Sequence, residues 1–476
     1  MKKKIFSCII IIMLLVALPS CAGILIPPEG LMRPPIPPGV SSEILQAFER
    51  EVGTDYRLRF ERNGNHASIL THDLTGNGTL NAALFYSLLD EGDTLHIHIL
   101  EFYDDEWVSI YDKTTTGLGV ERIEVGYIID ENIPSLVVGK TSLLDNQRVL
   151  SVFTLTNEIL EESFTTNYME FYVTDIDRDG LDNVIFMQYD PALSFIDAQV
   201  VAFSGEDEQF FIKYSTPVDS EVTSFLGVQS ALLTEFLGND EVEKVIGIYF
   251  DAIKADGRII TELLYIPSGD FQETAQGLKP IFHSDYLRAP FTDPSTRTNI
   301  TTERRSTRHS VDIDGSGRIA IPGDILFAGS EHLYITRWYV YQGRQMENIS
   351  TSYIDRSGFM FDLQNLIFND TTLNIAIDED TRERVFSVYD IESNLIIREL
   401  FRVILTTETW WQQNGETANL HKVGQFQNVV FLAQMVDNEL HGDGFDLTSE
   451  DVAARFAIFH DTADTALAVF EDRQGE

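Results

Sequence analysis

A nine-residue acidic turn that feeds an apolar strand recurs along this chain. Asp73-Leu-Thr-Gly-Asn-Gly-Thr-Leu-Asn81 precedes AALFYSL. Asp175-Ile-Asp-Arg-Asp-Gly-Leu-Asp-Asn183 precedes VIFMQY, and Asp312-Ile-Asp-Gly-Ser-Gly-Arg-Ile-Ala320 precedes another apolar stretch. Weaker echoes are YIIDENIPS at 127–135, before LVVG, and EFLGNDEVE at 235–243, before KVIGIYF. A spacing of roughly 50 to 75 residues is that of a repeat array, each unit one small antiparallel sheet. Such a sheet cannot bury both faces alone. Stacking the sheets radially buries them, which predicts a β-propeller.

The texture between the turns agrees. Tyr56, Leu58 and Phe60 alternate with polar residues, and Asn63-Gly64 supplies a hairpin turn. Glu91-Gly92-Asp93 is a second turn, Leu95, Ile97 and Ile99 alternate again, and Trp107, Ile110 and Tyr111 complete a meander of strands. Before it, Ile44, Leu45, Phe48 and Val52 share a helical face. Ser41 or Ser42 is placed to cap that helix, and Gly53 to end it.

The acidic turns carry the clearest chemistry. In the second, Asp175, Asp177 and Asp179 stand at positions 1, 3 and 5, a glycine at 6 and Asn183 at 9. With the Leu181 carbonyl, these oxygens can wrap one hard cation, and roughly six to eight oxygens at about 2.4 Å suit calcium. Three clustered carboxylates repel one another without a cation. A solvated turn that merely favours Asp and Gly is the plainer reading. The first turn offers Asp73, Thr75, Asn77 and Asn81, a weaker set with one formal charge. The third offers Asp312, Asp314 and Ser316, with Ala320 at the ninth position. No glutamate stands at a twelfth position, which argues against an EF-hand.

These turns resemble the D-x-[DN]-x-[DN]-G-x-x-[DEN] repeats of FG-GAP/VCBS-type propellers, found in integrin α-chain heads and bacterial surface proteins. The match runs over roughly residues 55–345, full at 175–183 and partial at 73–81. About five units are visible where the family commonly closes with seven. The resemblance implies ligands at the positions named above, and ions that stabilise the fold rather than catalyse.

The N-terminus sets the compartment. Lys2, Lys3 and Lys4 precede an apolar run from Ile5 to Ala17, then Leu18-Pro19-Ser20-Cys21. This resembles the L-x-[AGS]-C lipobox of bacterial lipoproteins, which implies removal of residues 1–20 and acylation of Cys21. The apolar run is short for about 30 Å of hydrocarbon. Residues 21–40, with prolines at 27, 28, 34, 35, 37 and 38, read as a polyproline spacer. Of the two cysteines, Cys8 lies in the leader and Cys21 takes lipid, so no disulfide or thiolate chemistry remains.

Charge excludes one class of partner. The chain has 34 Lys and Arg against 75 Asp and Glu, a net charge of −41. A surface that acidic repels nucleic acid and attracts divalent cations. The segment 285–310, RAPFTDPSTRTNITTERRSTRHS in its core, is locally basic and reads as a long surface loop, with anion or partner binding as its functional reading.

Enzyme templates mostly fail. There is no H-E-x-x-H and no G-x-S-x-G. His96 and His98 face one side of a strand with no evident third ligand, so packing is favoured over zinc. VVGKTS at 137–142 mimics a P-loop tail, but Pro134 stands where its glycine is required. Trp410 and Trp411 read as adjacent strand residues, at least one of them core. After about residue 353 the acidic turns stop. Strands such as LFRVIL and a helix opened by Ser449 suggest a separate unit.

The expected chain is mainly β: a β-propeller of about five to seven blades over 41–350, then an α+β domain over 351–476. The expected function is an extracytoplasmic binding or scaffold lipoprotein with structural calcium. Its partners are the lipid bilayer, through acylated Cys21, and a protein or glycan ligand. The alternative is a carbohydrate-active lyase or hydrolase on a propeller scaffold. A transporter's solute-binding subunit is disfavoured by the long β-dominated stretch. No catalytic residue is assigned.

Overall fold

Alternating apolar positions become strands buried on both faces. In the strand Ser135–Thr141, Leu136 and Val138 join a core with Phe85, Ile97 and Phe153. Val137, between them, joins a different core with Phe171, Val184 and Phe186. One period-two strand thus serves two interfaces, each buried side chain contributing about 1.5–3 kcal/mol. The computed structural model describes residues 38–459, except 60–68, 90–93, 142–146, 192–193, 239–240, 268–270, 275–276, 287–290, 293–298, 301–303, 305, 328–332, 343–344, 367–370, 379, 416–418 and 437–440. Cys21, the leader, the spacer as far as 37, and the Asn63-Gly64 and Glu91-Gly92-Asp93 turns lie outside the described residues, as does part of the 235–243 echo.

Among the described residues, six antiparallel sheets of four or five strands follow one another, with two small two-stranded sheets, Phe271–Thr274 with Gly277–Pro280 before the last strand of the fourth and Phe291–Thr292 with Asn299–Ile300 between the fourth and fifth. Sheet I holds Tyr56–Leu58, Ile69–His72, Asn81–Leu88, Thr94–Tyr103 and Glu106–Thr116. Sheet II holds Gly119–Gly126, Ser135–Thr141, Arg148–Thr156 and Ile159–Asn167. Sheet III holds Glu170–Thr174, Asn183–Asp190, Phe195–Ser204 and Gln209–Pro217. Sheet IV holds Val222–Gly238, Glu241–Lys254, Ile259–Tyr265 and His283–Tyr286. Sheets II and III are plain meanders, each strand pairing with the next. Sheet V combines Ala320–Leu326, Tyr334–Gln342, Gln345–Asp355 and Phe359–Asp362 with the distant Phe456–Ile458. Sheet VI is ordered Thr371–Ile377, Arg384–Asp390, Leu395–Thr407, Val429–Met435, Leu420–Phe426. The meander and the AALFYSL and VIFMQY strands expected from sequence are therefore present.

Neighbouring sheets share cores pairwise. I meets II around Phe85 and Phe153, II meets III around Phe171 and Phe186, III meets IV around Ile185 and Phe250, and IV meets V around Tyr249 and Tyr339. First strands lie beside first strands: Glu170–Thr174 touches both Gly119–Gly126 and Val222–Gly238. Last strands likewise lie beside last strands, Ile159–Asn167 touching Glu106–Thr116 and Gln209–Pro217. The outer face of sheet I is covered by helix α1, Pro38–Val52, through Ile44, Ala47 and Phe48.

That helix begins earlier than the sequence suggested. Pro38, assigned to the spacer, opens it, since proline's fixed φ and missing N–H suit the first turn. Gly53 ends it as expected, at φ +85°.

The C-terminal boundary needs a larger correction. A cut at 350/351 falls inside the strand Gln345–Asp355, and sheet V starts at Ala320. Sheets V and VI pack face to face over one core of Phe359, Phe361, Phe386, Phe401 and Phe431. The helices described there are short: α2, Glu408–Asn414, and α3, Ser449–Ala454. Trp410 and Trp411 sit on α2 rather than on a strand, and neither is buried. The cap of α3 is Thr448, which forms a capping box with Asp451. The helix stops early because Phe456–Ile458 returns as a strand against Phe359–Phe361. None of the described helices is long and apolar enough to cross a membrane.

Candidate cation-binding loops

The three acidic turns occupy one topological position. The first joins Ile69–His72 to Asn81–Leu88, and the second joins Glu170–Thr174 to Asn183–Asp190. The third leads from Val311, bridged to Ala320, into Ala320–Leu326. Each has left-handed backbone at positions 4 and 6: Gly76 and Gly78, Arg178 and Gly180, Gly315 and Gly317. Glycine at 6 is what lets the chain fold back onto its own first carboxylate. Each also sends its second residue inward. Leu74 and Ile176 are 1% and 2% exposed, and Ile313 packs on the core around Trp338.

The first carboxylate collects backbone N–H groups in every case. Asp73 accepts from Gly76 and Gly78, each at 2.8 Å. Asp175 accepts from Asp179 and Gly180, each at 3.0 Å, and Asp312 accepts from Gly317 at 2.7 Å. The ninth residue is engaged with backbone as well. Asn81 Oδ1 accepts from Leu74 N at 2.8 Å, and Asn183 Oδ1 from Ile176 N at 3.2 Å. Two amide oxygens that the sequence offered to an ion therefore already hold the turn closed. Thr75 donates to Asp73 Oδ1 at 3.2 Å, and Asn77 Oδ1 accepts from Thr79. Asp314 and Ser316 are tied together and to Arg318.

Of the three turns, only the second brings three carboxylates together. Oxygens of Asp175, Asp177 and Asp179 lie within 4.8 Å of one another. The Asp177 side chain is 7% exposed, and the Tyr214 hydroxyl hydrogen-bonds to it. Burial, then the charges of Asp179 and Asp177, push the Asp175 carboxyl above the ordinary carboxylate range despite its two N–H donors. Burial also presses upward on Asp179, but hydrogen bonds from Lys213 and Leu181 N outweigh it and hold that carboxyl low. Lys213 Nζ stands 2.5 Å from Asp177 Oδ2 and 2.6 Å from Asp179 Oδ2. Sequence reading missed Lys213, which arrives from the fourth strand of sheet III and carries no spacing signature.

As a donor set, the turn fits a hard cation in kind: the oxygens it brings together are carboxylates, with the Leu181 carbonyl nearby in sequence. It fits with one condition, that the ammonium bridging Asp177 and Asp179 gives way. A cavity of about 200 Å³ lies alongside, lined by Asp179, Asp182, Phe203, Ser204, Phe211 and Lys213 among others.

Consecutive turns are linked across the sheets. Gly76 lies against the next sheet's turn; a Cβ there would stand 2.2 Å from the Asn132 carbonyl, so only glycine permits the approach. Tyr127 N donates to Asp182 Oδ2 and Asp182 N donates to Tyr127 O, both at 2.8 Å. Arg178 donates to the Lys244 carbonyl of sheet IV. The 127–135 echo is thus part of the same series, and Asp130 accepts from Asn132 N at 2.7 Å.

Other sequence candidates resolve as packing. His96 and His98 are 7% and 2% exposed, and both reach Asp112, at 3.1 and 2.8 Å. Burial favours the neutral Asp112 acid, but hydrogen bonds from His98, Tyr86 and His96 prevail and lower its pKa. Lys140 of the VVGKTS run lies in a strand, 1% exposed, donating to Thr115 Oγ1 at 2.8 Å. The basic 285–310 segment is not wholly a surface loop. Arg304 is 1% exposed and paired with Asp251, and Arg308 pairs with Asp324. Those charges turn inward because buried carboxylates wait for them.

No family model and no curated protein matches the chain. Solved structures similar to it include a hypothetical protein from Leishmania major, at 11% identity and TM-score 0.23, covering 64% of this chain and 91% of that one. Rhamnogalacturonan lyase YesW is 12% identical at TM-score 0.30, covering 72% of this chain and 63% of its own. Saccharomyces cerevisiae Sqt1 is 10% identical at TM-score 0.26, covering 80% and 98%. At these scores none of the likenesses bears on function.

Proposed function

We propose that this chain is a lipid-anchored binding scaffold of the bacterial envelope, held outside the membrane by acylated Cys21. Sheets I to V are the blades of an open propeller, with helix α1 on the first blade and sheet VI packed on the fifth. A calcium ion in the 175–183 turn rigidifies the linked row of loops. That row presents the recognition surface to a protein or glycan partner. The observation that carries this reading is the shared turn: three nonapeptides with left-handed positions 4 and 6, each entering a sheet at the same point. The serial sharing of cores between neighbouring sheets supports the blade arrangement.

Calorimetric titration of the mature chain with calcium tests the ion. We expect measurable binding, a melting temperature that falls on adding chelator, and loss of both responses in Asp177→Ala, because ligand binding to the native state alone adds stability by mass action. A chelator-insensitive melt identical in parent and variant rejects the ion. The anchor is tested separately: Cys21→Ser is expected to move the protein from the membrane fraction to the soluble fraction. Retention at the membrane would mean an uncleaved leader.

A further inference from the structure

We propose that Lys213 is a built-in counter-cation that occupies the 175–183 turn when no divalent ion is bound, and that calcium enters by displacing it. This rests on the calcium reading above and adds a competitor to it. The ammonium lies 2.5 Å from Asp177 and 2.6 Å from Asp179, two of the three carboxylates a calcium ion would need. The Asp177 side chain is 7% exposed, and besides the Lys213 ammonium it has a hydrogen bond from the neutral Tyr214 hydroxyl, so Lys213 is the cation it shares with Asp179. A buried carboxylate is costly unless its charge is balanced, and a hydroxyl brings no charge. One ammonium supplies a single positive charge to a turn holding Asp175, Asp177 and Asp179, leaving a deficit that a divalent ion removes.

The other turns show the same matching of charge. The 312–320 turn, with Asp312 and Asp314, has its own arginine, Arg318, 3.2 Å from Asp314. The 73–81 turn has a single aspartate, and its Asn77 and Thr79 instead donate to Glu101. An internal cation is therefore found where carboxylates accumulate. Lys213 has somewhere to go when displaced. Its side chain is 22% exposed and lines the cavity of about 200 Å³ beside the turn, together with Ser204 and Phe211. A flexible four-carbon stem can swing there without moving the strand. No bond forms or breaks; one cation exchanges for another.

The test compares the full mature chain with Lys213→Met, which keeps the stem and removes the charge. Calcium is titrated by calorimetry, and melting is followed in chelator and in calcium. In chelator, Lys213→Met is expected to melt below the parent, because Asp177 and Asp179 then face each other unpaired. Its calcium affinity is expected to rise about tenfold, the scale of a charge-assisted hydrogen bond that no longer has to be broken. The melting gap then closes in calcium. A second measurement needs no variant: Lys213 of the parent is expected to resist amine acylation in chelator and to react once calcium is added. Equal calcium affinity in the two proteins, or calcium-independent labelling of Lys213, overturns the exchange and leaves the ion site standing. Absence of calcium binding in both proteins overturns the ion site itself.

Discussion

Asp251→Ala is expected to lower unfolding free energy by about 3–5 kcal/mol, the cost of leaving a buried charge without its partner. Asp251 is 2% exposed and is the hub of a closed network. Arg304 Nη2 donates to it at 2.7 Å, Ser310 donates through N and Oγ at 2.6 and 2.7 Å, and Thr261 Oγ1 donates at 2.8 Å. Arg304 has no exposed side-chain surface, and its other donors go to Thr261 Oγ1 and the Arg308 carbonyl. Removing the carboxylate strands a guanidinium inside the protein and leaves the Ser310 N–H unpaired. The double variant Asp251→Ala with Arg304→Met is expected to recover most of the loss, since it removes the charge as well. Urea midpoints of the parent, both singles and the double measure this coupling. Additive losses would show that the pair acts only through packing.

Phe386→Ala is expected to cost a similar amount, about 3–5 kcal/mol, through a cavity at the joint between sheets V and VI. Phe386 is fully buried. Its ring stacks on Phe401 with centroids 4.4 Å apart and planes 14° apart, and it meets Phe361 at 5.1 Å and Tyr353 at 6.1 Å. Three aromatic partners from two sheets cannot all close in on an alanine. Phe386→Leu is expected to lose markedly less, because it keeps most of the volume. The comparison isolates the void from the loss of the aromatic pair. Guanidinium unfolding of the two variants is the measurement, and equal losses would refute the cavity account.

Local chemistry was readable before the fold was known. The sixth position of each turn has φ above zero and takes glycine, so Gly78, Gly180 and Gly317 mark their turns. Side chains that alternate in and out marked Leu95, Ile97 and Ile99 as one strand. Helix α1 was visible from Ile44, Leu45, Phe48 and Val52, although its start was not, because a proline in a proline-rich stretch looks like spacer until its own turn is seen. The C-terminal third was read less well. Its strands are joined by short turns such as 356–358 and 391–394 rather than by the acidic nonapeptide, and the LFRVIL run suggests a strand that carries on through Trp410 and Trp411. Thr407, which caps α2 through its side chain, was the signal available to correct that reading.

The sequence by itself determined what depends on neighbours along the chain: the acidic turns, their glycines and the strands they open. Tertiary structure alone decided which distant groups meet. Lys213 reaches Asp177 and Asp179 only because sheet III brings its fourth strand past its own first turn. Arg304 meets Asp251 only because a segment with no period returns across sheet IV, and Phe456–Ile458 completes a sheet begun more than a hundred residues earlier. The physical reason is the same throughout. Dihedral preference and side-chain period act over a few residues, whereas electrostatic pairing and close packing are satisfied by whichever groups the folded chain makes adjacent.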